Sequence, residues 1–176
     1  MTEAPEKSKP RTESLLLWLS GALALGLFVA MVVHSSSLVP GIPALQLTFN
    51  EAAFKAILAQ WGNDGIAVFR THLRIDFLVL TSYGIFGYLF VQYGALFQQL
   101  SKSVRRLASW VMPIAAILDA IENLLHLELI SDAATHPPAL YLAAGLVATG
   151  KWLLIGDFMA GTLYLLVSKW RHGRKK

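Results

Sequence analysis

The sequence predicts an all-α protein: a four-helix transmembrane bundle with a short amphipathic interfacial helix between the first and second spans. Of the 176 residues, 55% are hydrophobic and only 15% are charged, whereas roughly a quarter of the residues in a soluble domain are charged. Four apolar segments each reach the roughly 20 residues that a helix needs to cross a bilayer. Lys and Arg are concentrated in the two termini and in one loop, which indicates a multi-pass membrane protein.

The apolar segments set the bounds of a membrane domain at residues 14–168. Within it we place spans at residues 14–34, 75–97, 107–130 and 139–168 and the interfacial helix at residues 48–61. A disordered tail, residues 1–13, precedes this domain, and a basic tail, residues 169–176, follows it. The positive-inside rule assigns segments rich in Lys and Arg to the cytoplasm. It therefore predicts a multi-pass protein of the inner (plasma) membrane with both termini in the cytoplasm.

The predicted interfacial helix has clear start and stop signals. Residues 40–43, Pro-Gly-Ile-Pro, break the chain after span one, and Thr48 with Glu51 has the spacing of a capping box. The glycines of residues 62–65 end the helix. Its apolar face predicts a helix on the outer membrane surface with Trp61 at headgroup level. A lid over the mouth of the bundle is the alternative.

Small residues predict where the spanning helices touch, because close packing holds helices together in lipid. Such residues recur at helical spacing in spans one, two and four. They are Ala22, Gly26 and Ala30; Gly87 and Gly94; Ala144 with Ala148; and Gly156 with Ala160.

Four polar residues lie on one face of the predicted third span. Asp119, Glu122, Asn123 and His126 are spaced i, i+3, i+4 and i+7, so one helical face carries all of them. An ionisable residue at the bilayer centre costs at least about 2.5–3.5 kcal/mol, so the carboxylates need partners. Lys151 in the fourth span has the same estimated depth as Asp119, which predicts an ion pair between them. His126 is a candidate partner of Glu122.

The second span contributes another polar stripe. His72 and Asp76 are spaced i, i+4, and Tyr83 lies on the same stripe two turns deeper. On the outer side of the membrane, Asp76 and Arg74 are further candidate partners of Glu122. The sequence therefore predicts that spans two, three and four meet around polar side chains.

The polar pattern of these three spans resembles that of small bacterial four-span inner-membrane proteins. The resemblance rests on Asp76 and Tyr83 in span two, Leu-Asp-Ala-Ile-Glu-Asn at residues 118–123 in span three, and Lys151 in span four. It implies a four-span inner-membrane fold and does not imply an activity.

The polar residues are also the candidate functional site. Carboxyl groups at different depths, a histidine and a lysine are the groups that general acid–base chemistry uses, and burial can leave a carboxyl group able to donate a proton. The leading hypothesis is a site that binds or processes a small amphipathic or lipid-like molecule from the outer half of the bilayer. Its candidate catalytic residues are Glu122, Asp119 and His126, and its candidate ligand-binding residues are Asp76, Asn123, Lys151, Tyr83 and Arg74.

Three other interpretations of these residues stay open. The first is an interhelical hydrogen-bond network that only fixes helix packing, in a non-enzymatic accessory or assembly protein. The second is a proton or ion path. The third is a metal site, because His72 with Asp76 and Glu122 with His126 each form an i, i+4 pair that places two ligands on one helical face.

Composition narrows the expected partners. The chain has no cysteine, which excludes disulfides, a cysteine nucleophile and a cysteine-bound metal. The basic residues form no stripe with interleaved aromatics, so nucleic acid is not expected. We expect membrane lipids and a small amphipathic ligand as partners and no cofactor, and we leave an oligomer or a partner subunit open.

Overall fold

The computed structural model describes residues 11–131 and 136–173, which are helical apart from short connections. In chain order the helices are α1 (Arg11–His34), α2 (Ile42–Gln46), α3 (Glu51–Tyr93), α4 (Lys102–Leu129) and α5 (Pro138–Gly173), with a 3₁₀ turn at Phe97–Gln99. Four of them, α1, α3, α4 and α5, are long and apolar enough to cross a membrane. The predicted all-α class with four membrane-spanning helices is therefore confirmed.

The spanning helices pack in chain order: α1 lies along α3, α3 along α4, and α4 along α5. Glycines bring α3 close to α4. A Cβ added at Gly87 would lie 2.3 Å from the Cβ of Met112, and one at Gly84 would lie 3.0 Å from the Cβ of Ala116. The predicted contact at Gly87 is therefore confirmed, because a larger residue would push the two helices apart. Gly94, in contrast, caps the C-terminus of α3.

The other predicted small-residue contacts divide into two groups. Ala144 and Ala148 of α5 are buried, as predicted. The remaining predicted residues are exposed, and their assignment to contacts within the bundle was wrong: Ala22, Gly26, Ala30, Gly156 and Ala160. In α1 the close approach occurs at Gly21, where an added Cβ would lie 2.9 Å from Cε2 of Phe86. Small residues alone do not identify which side of a helix meets protein.

The main difference from the predicted boundaries is in α3, which joins the predicted interfacial helix to span two. Two helical stretches meet at a kink at Gly62, where φ is 62° and ψ is −173°, so the first stretch ends at this glycine as predicted and the spanning stretch begins directly after it. The predicted capping box is wrong. Asn50 caps the helix by accepting a hydrogen bond from the Ala53 amide at 2.9 Å, whereas the Thr48 hydroxyl donates to the carbonyl oxygen of Leu45 at 2.7 Å.

The predicted tails fall largely outside the described residues. Residues 11–13 form the first turn of α1, so the predicted disorder is wrong for them. Residues 169–173 continue α5. Residues 1–10 and 174–176 are not described.

Residues 38–61, which we call the lid, cover one end of the bundle. Trp61 is only 8% exposed, and its Nε1 donates to the carbonyl oxygen of Pro40 at 2.8 Å. Trp61 therefore packs against the protein instead of facing lipid, and the lid alternative describes the segment. Its apolar side chains Leu38, Ile42, Leu45, Phe54 and Trp61 pack against Phe69, Leu73, Leu129, Ile130, Tyr141 and Ala144. We call this end of the bundle the lid end and the opposite end, where α1 begins and α5 finishes, the terminal end.

Replacing Gly62 with alanine should destabilise the protein by about 1–3 kcal/mol, because φ 62° with ψ −173° lies in a backbone region that is essentially restricted to glycine. No neighbouring atom lies within 4 Å of the added carbon, so the loss comes from the backbone alone. Gly26→Ala is the control, since Gly26 is helical with equally open space and alanine favours helix. Unfolding in detergent measures both variants. A loss at Gly62 no larger than that at Gly26 would contradict the assigned backbone.

Candidate functional site

The polar face of α4 lies in the interior of the bundle. Asp119, Glu122, Asn123 and His126 are buried, with exposed fractions of 6%, 0%, 0% and 1%. The other side of the same helix exposes the apolar side chains Ile114, Ile117, Ile121 and Leu124. The i, i+3, i+4, i+7 spacing thus predicted the inward face correctly. We call these four polar residues, together with Asp76, Tyr83 and Lys151, the polar cluster.

Lys151 joins α5 to α4 at the centre of the polar cluster. Its Nζ lies 2.9 Å from Asp119 Oδ1, with the geometry of a hydrogen bond. It also lies 2.6 Å from Glu122 Oε2, an ion contact whose angles depart from those of a hydrogen bond. Only 2% of Lys151 is exposed. The predicted Lys151–Asp119 pair is therefore present, and Glu122 shares the same ammonium.

Two hydrogen bonds join α3 to the same face of α4. The Tyr83 hydroxyl donates to Asp119 Oδ2 at 2.9 Å, so both oxygens of that carboxylate have partners. Nearer the lid, Asn123 Nδ2 donates to Asp76 Oδ2 at 2.8 Å. The sequence indicated Asp76 as a candidate partner of Glu122, whereas the structure pairs Asp76 with Asn123.

Polar atoms at the lid end of the polar cluster have fewer hydrogen-bond partners than those at the terminal end. Glu122 Oε1, Asn123 Oδ1 and His126 Nδ1 are buried and have no hydrogen-bond partner among the residues that the structure describes. Glu122 Oε1 and His126 Nδ1 are 3.6 Å apart, which is beyond the usual range of a hydrogen bond. His72 Nδ1, one turn from Asp76 towards the lid, is also buried and has no hydrogen-bond partner among the described residues. Buried polar atoms rarely lack a partner.

Aromatic rings close the lid end over His126. Phe54 of the lid stacks on the imidazole with the ring centroids 5.8 Å apart, and Phe69 of α3 meets it edge-on at 5.9 Å. Tyr141 of α5 meets Phe54 edge-on at 5.5 Å. Sequence reasoning missed these three rings as neighbours of the site. The only signal was that Phe54 lies on the apolar face of the lid helix, and that face could equally have met lipid.

The polar cluster holds more acidic than basic groups. Asp76, Asp119 and Glu122 face a single ammonium, that of Lys151, so full ionisation leaves negative charge in excess. Unbalanced charge is costly away from water. The polar cluster therefore has the capacity to hold a proton or another positively charged group.

Two predicted site residues lie outside the polar cluster. Arg74 is exposed on α3, because a residue two positions from buried Asp76 faces the other side of a helix, so the structure does not bring it to the polar cluster. His72 is half-buried and stacks on Phe69 with a centroid separation of 6.4 Å. Asp157 of α5 is exposed.

The metal interpretation required His72, Asp76, Glu122 and His126 to converge. Within residues 11–131 and 136–173, no three His, Asp or Glu side chains come together as a metal site requires. Asp76 is bonded to Asn123 instead, so the i, i+4 spacing of the two pairs does not bring them to one point.

Comparison with protein-family models, curated proteins and solved structures finds no match to this chain.

Tyr83→Phe should destabilise the protein by about 0.6–1.7 kcal/mol, the range for an interhelical hydrogen bond in a membrane protein. The variant removes the hydroxyl that donates to Asp119 and leaves the ring in place. The control is Tyr88→Phe on the same helix, whose ring contact with Trp110 survives the change. Thermal unfolding in detergent compares the two, and an equal effect would mean that the Tyr83 hydroxyl does not support Asp119.

Proposed function

We propose that this chain is a small integral membrane protein whose polar cluster binds or processes a small amphipathic molecule that enters from the lid end. The observation that carries the proposal is the pair of buried, unpartnered acceptor atoms Glu122 Oε1 and Asn123 Oδ1 in the described part of the chain. An unsatisfied buried acceptor costs about 1–3 kcal/mol. A ligand with a hydrogen-bond donor would supply the missing bonds.

The lid gives the proposed ligand an apolar environment beside the polar one. The rings of Phe54, Phe69 and Tyr141 pack near His126, one turn from Glu122. An amphipathic molecule would place its polar group against Glu122 and Asn123 and its apolar part among these rings. Entry requires the lid to move, and Gly62 supplies a break in α3 between the lid and the spanning helix.

Glu122 and His126 are the residues that we assign to proton transfer if the ligand is processed. Their facing atoms are 3.6 Å apart, and catalytic hydrogen bonds are often long before the substrate binds. Asp119 has a different role, because Lys151 and Tyr83 occupy both of its oxygens. We assign Asp119 to holding Lys151 in place rather than to contact with the substrate.

The second candidate function is that of a non-enzymatic accessory or assembly protein whose polar cluster only fixes helix packing. Lys151 favours it, because its contacts with Asp119 and Glu122 tie α5 to α4. The Asp76–Asn123 bond likewise ties α3 to α4. Such bonds contribute about 0.6 kcal/mol each on average, which is enough to select one arrangement of helices.

Native mass spectrometry of protein extracted from its own membrane separates the two functions. We expect wild-type protein to carry a bound small molecule and Glu122→Gln and Asn123→Leu to lose it. The first replaces a charged carboxylate oxygen with an NH2 donor, and the second removes the amide oxygen. The control is Asp157→Asn, which removes an exposed carboxylate of α5 outside the polar cluster.

The ligand proposal fails if wild-type protein carries no small molecule. It also fails if Glu122→Gln and Asp119→Asn keep the molecule but lower the thermal stability in detergent, because the polar cluster would then be structural.

A further inference from the structure

A groove between α3 and α4 lies apart from the polar cluster, on the lipid-facing side of the two helices. Its volume is about 480 Å³, and apolar side chains of both helices form most of its lining. Of the lining residues, Ile85 and Ile117 are more than half exposed. The groove therefore opens towards the lipid around the protein.

Small residues form the groove. Gly84, Ala116 and Ala120 line it, and the closeness of Gly84 to Ala116 leaves no room for a larger side chain between the helices. Along α4 the lining extends from Trp110 to Ala120, which is about 15 Å at the helical rise of 1.5 Å per residue. That length is half of the roughly 30 Å hydrocarbon core. The groove thus matches the depth of one leaflet.

Aromatic residues mark the end of the groove that faces the terminal end of the bundle. Tyr88 and Trp110 pair edge-on there, with ring centroids 5.8 Å apart and an interplanar angle of 67°. Trp and Tyr are enriched at the level of lipid headgroups. The pair therefore indicates where the hydrocarbon ends and the headgroup region begins.

Two cations lie directly beyond the aromatic pair. Lys102 and Arg106 are both exposed. They lie eight and four residues before Trp110, so all three residues share one face of α4. The neighbouring Arg105 differs, because it is half-buried and donates to Gln98 Oε1 at 2.5 Å. Positive charge is thus placed at the headgroup end of an apolar groove.

We infer that this groove binds an acyl chain of an anionic phospholipid whose phosphate lies against Lys102 and Arg106. The apolar lining fits the acyl chain, and the two cations complement the phosphate. Basic residues at the mouth of an interhelical groove are a known way to recognise anionic lipid. The inference does not rest on the proposed function of the polar cluster, which occupies the other face of α4.

The test uses the full chain in nanodiscs that contain equal amounts of phosphatidylglycerol and phosphatidylcholine, followed by native mass spectrometry. Wild-type protein should retain phosphatidylglycerol in preference to phosphatidylcholine. The double variant Lys102→Gln, Arg106→Gln should retain less of it, by about fivefold for each cation removed. The control, Lys169→Gln with Arg171→Gln, removes the same charge from α5 at the same end of the bundle and should leave retention unchanged.

Variants that fill the groove test whether the groove holds the acyl chain, because they leave Lys102 and Arg106 in place. Ala120→Phe should abolish preferential retention of phosphatidylglycerol. Ile117→Trp, at a lining position that is 57% exposed, gives a second filled groove if the first variant does not fold.

Four results would overturn the inference. Equal loss in the α5 control would indicate general surface attraction, and equal retention of the two lipids would show no headgroup recognition. Full retention in a folded groove-filled variant would place the lipid elsewhere. A lipid-free dimer would show that a second copy of the chain occupies the groove.

Discussion

The ammonium of Lys151, held between Asp119 and Glu122, is the interaction on which the rest of the bundle depends. A lysine near the centre of a membrane domain is tolerated only with partners that offset its loss of water. Those partners lie on one face of α4, so the pairing fixes both the rotation of α4 and its depth relative to α5. Tyr83 then ties α3 to the same carboxylate. The central packing of three helices follows from one buried charge.

The hydrogen bonding of the polar cluster changes along the axis of the bundle. Towards the terminal end, Asp119 has a partner on each oxygen. Towards the lid, Glu122, Asn123 and His126 each keep a buried atom without a partner in the described part of the chain. Aromatic rings cover that end. Under the proposed function, the lid half is therefore where a ligand would gain most by binding.

Hydropathy and helical spacing predicted the fold class and most of the polar cluster, because both depend on which residues face lipid or protein. Matching depth was enough to pair Lys151 with Asp119. Matching depth did not predict that Arg74 faces away from the polar cluster, because its angular position on α3 is opposite that of Asp76. Periodicity also could not decide whether the apolar face that includes Trp61 meets lipid or the end of the bundle. That choice depends on contacts distant in sequence, and so does the break in α3 at Gly62.

A double-mutant cycle between Lys151→Met and Asp119→Asn, measured by unfolding in a bilayer mimic, tests the central interaction most directly. Lys151→Met alone should cost about 3–5 kcal/mol, because it strands two buried carboxylates. Adding Asp119→Asn should cost much less than it does in the wild-type background, with a coupling of about 1–3 kcal/mol. Effects that add to within about 0.5 kcal/mol would contradict the account, because Lys151 and Asp119 would then be independent.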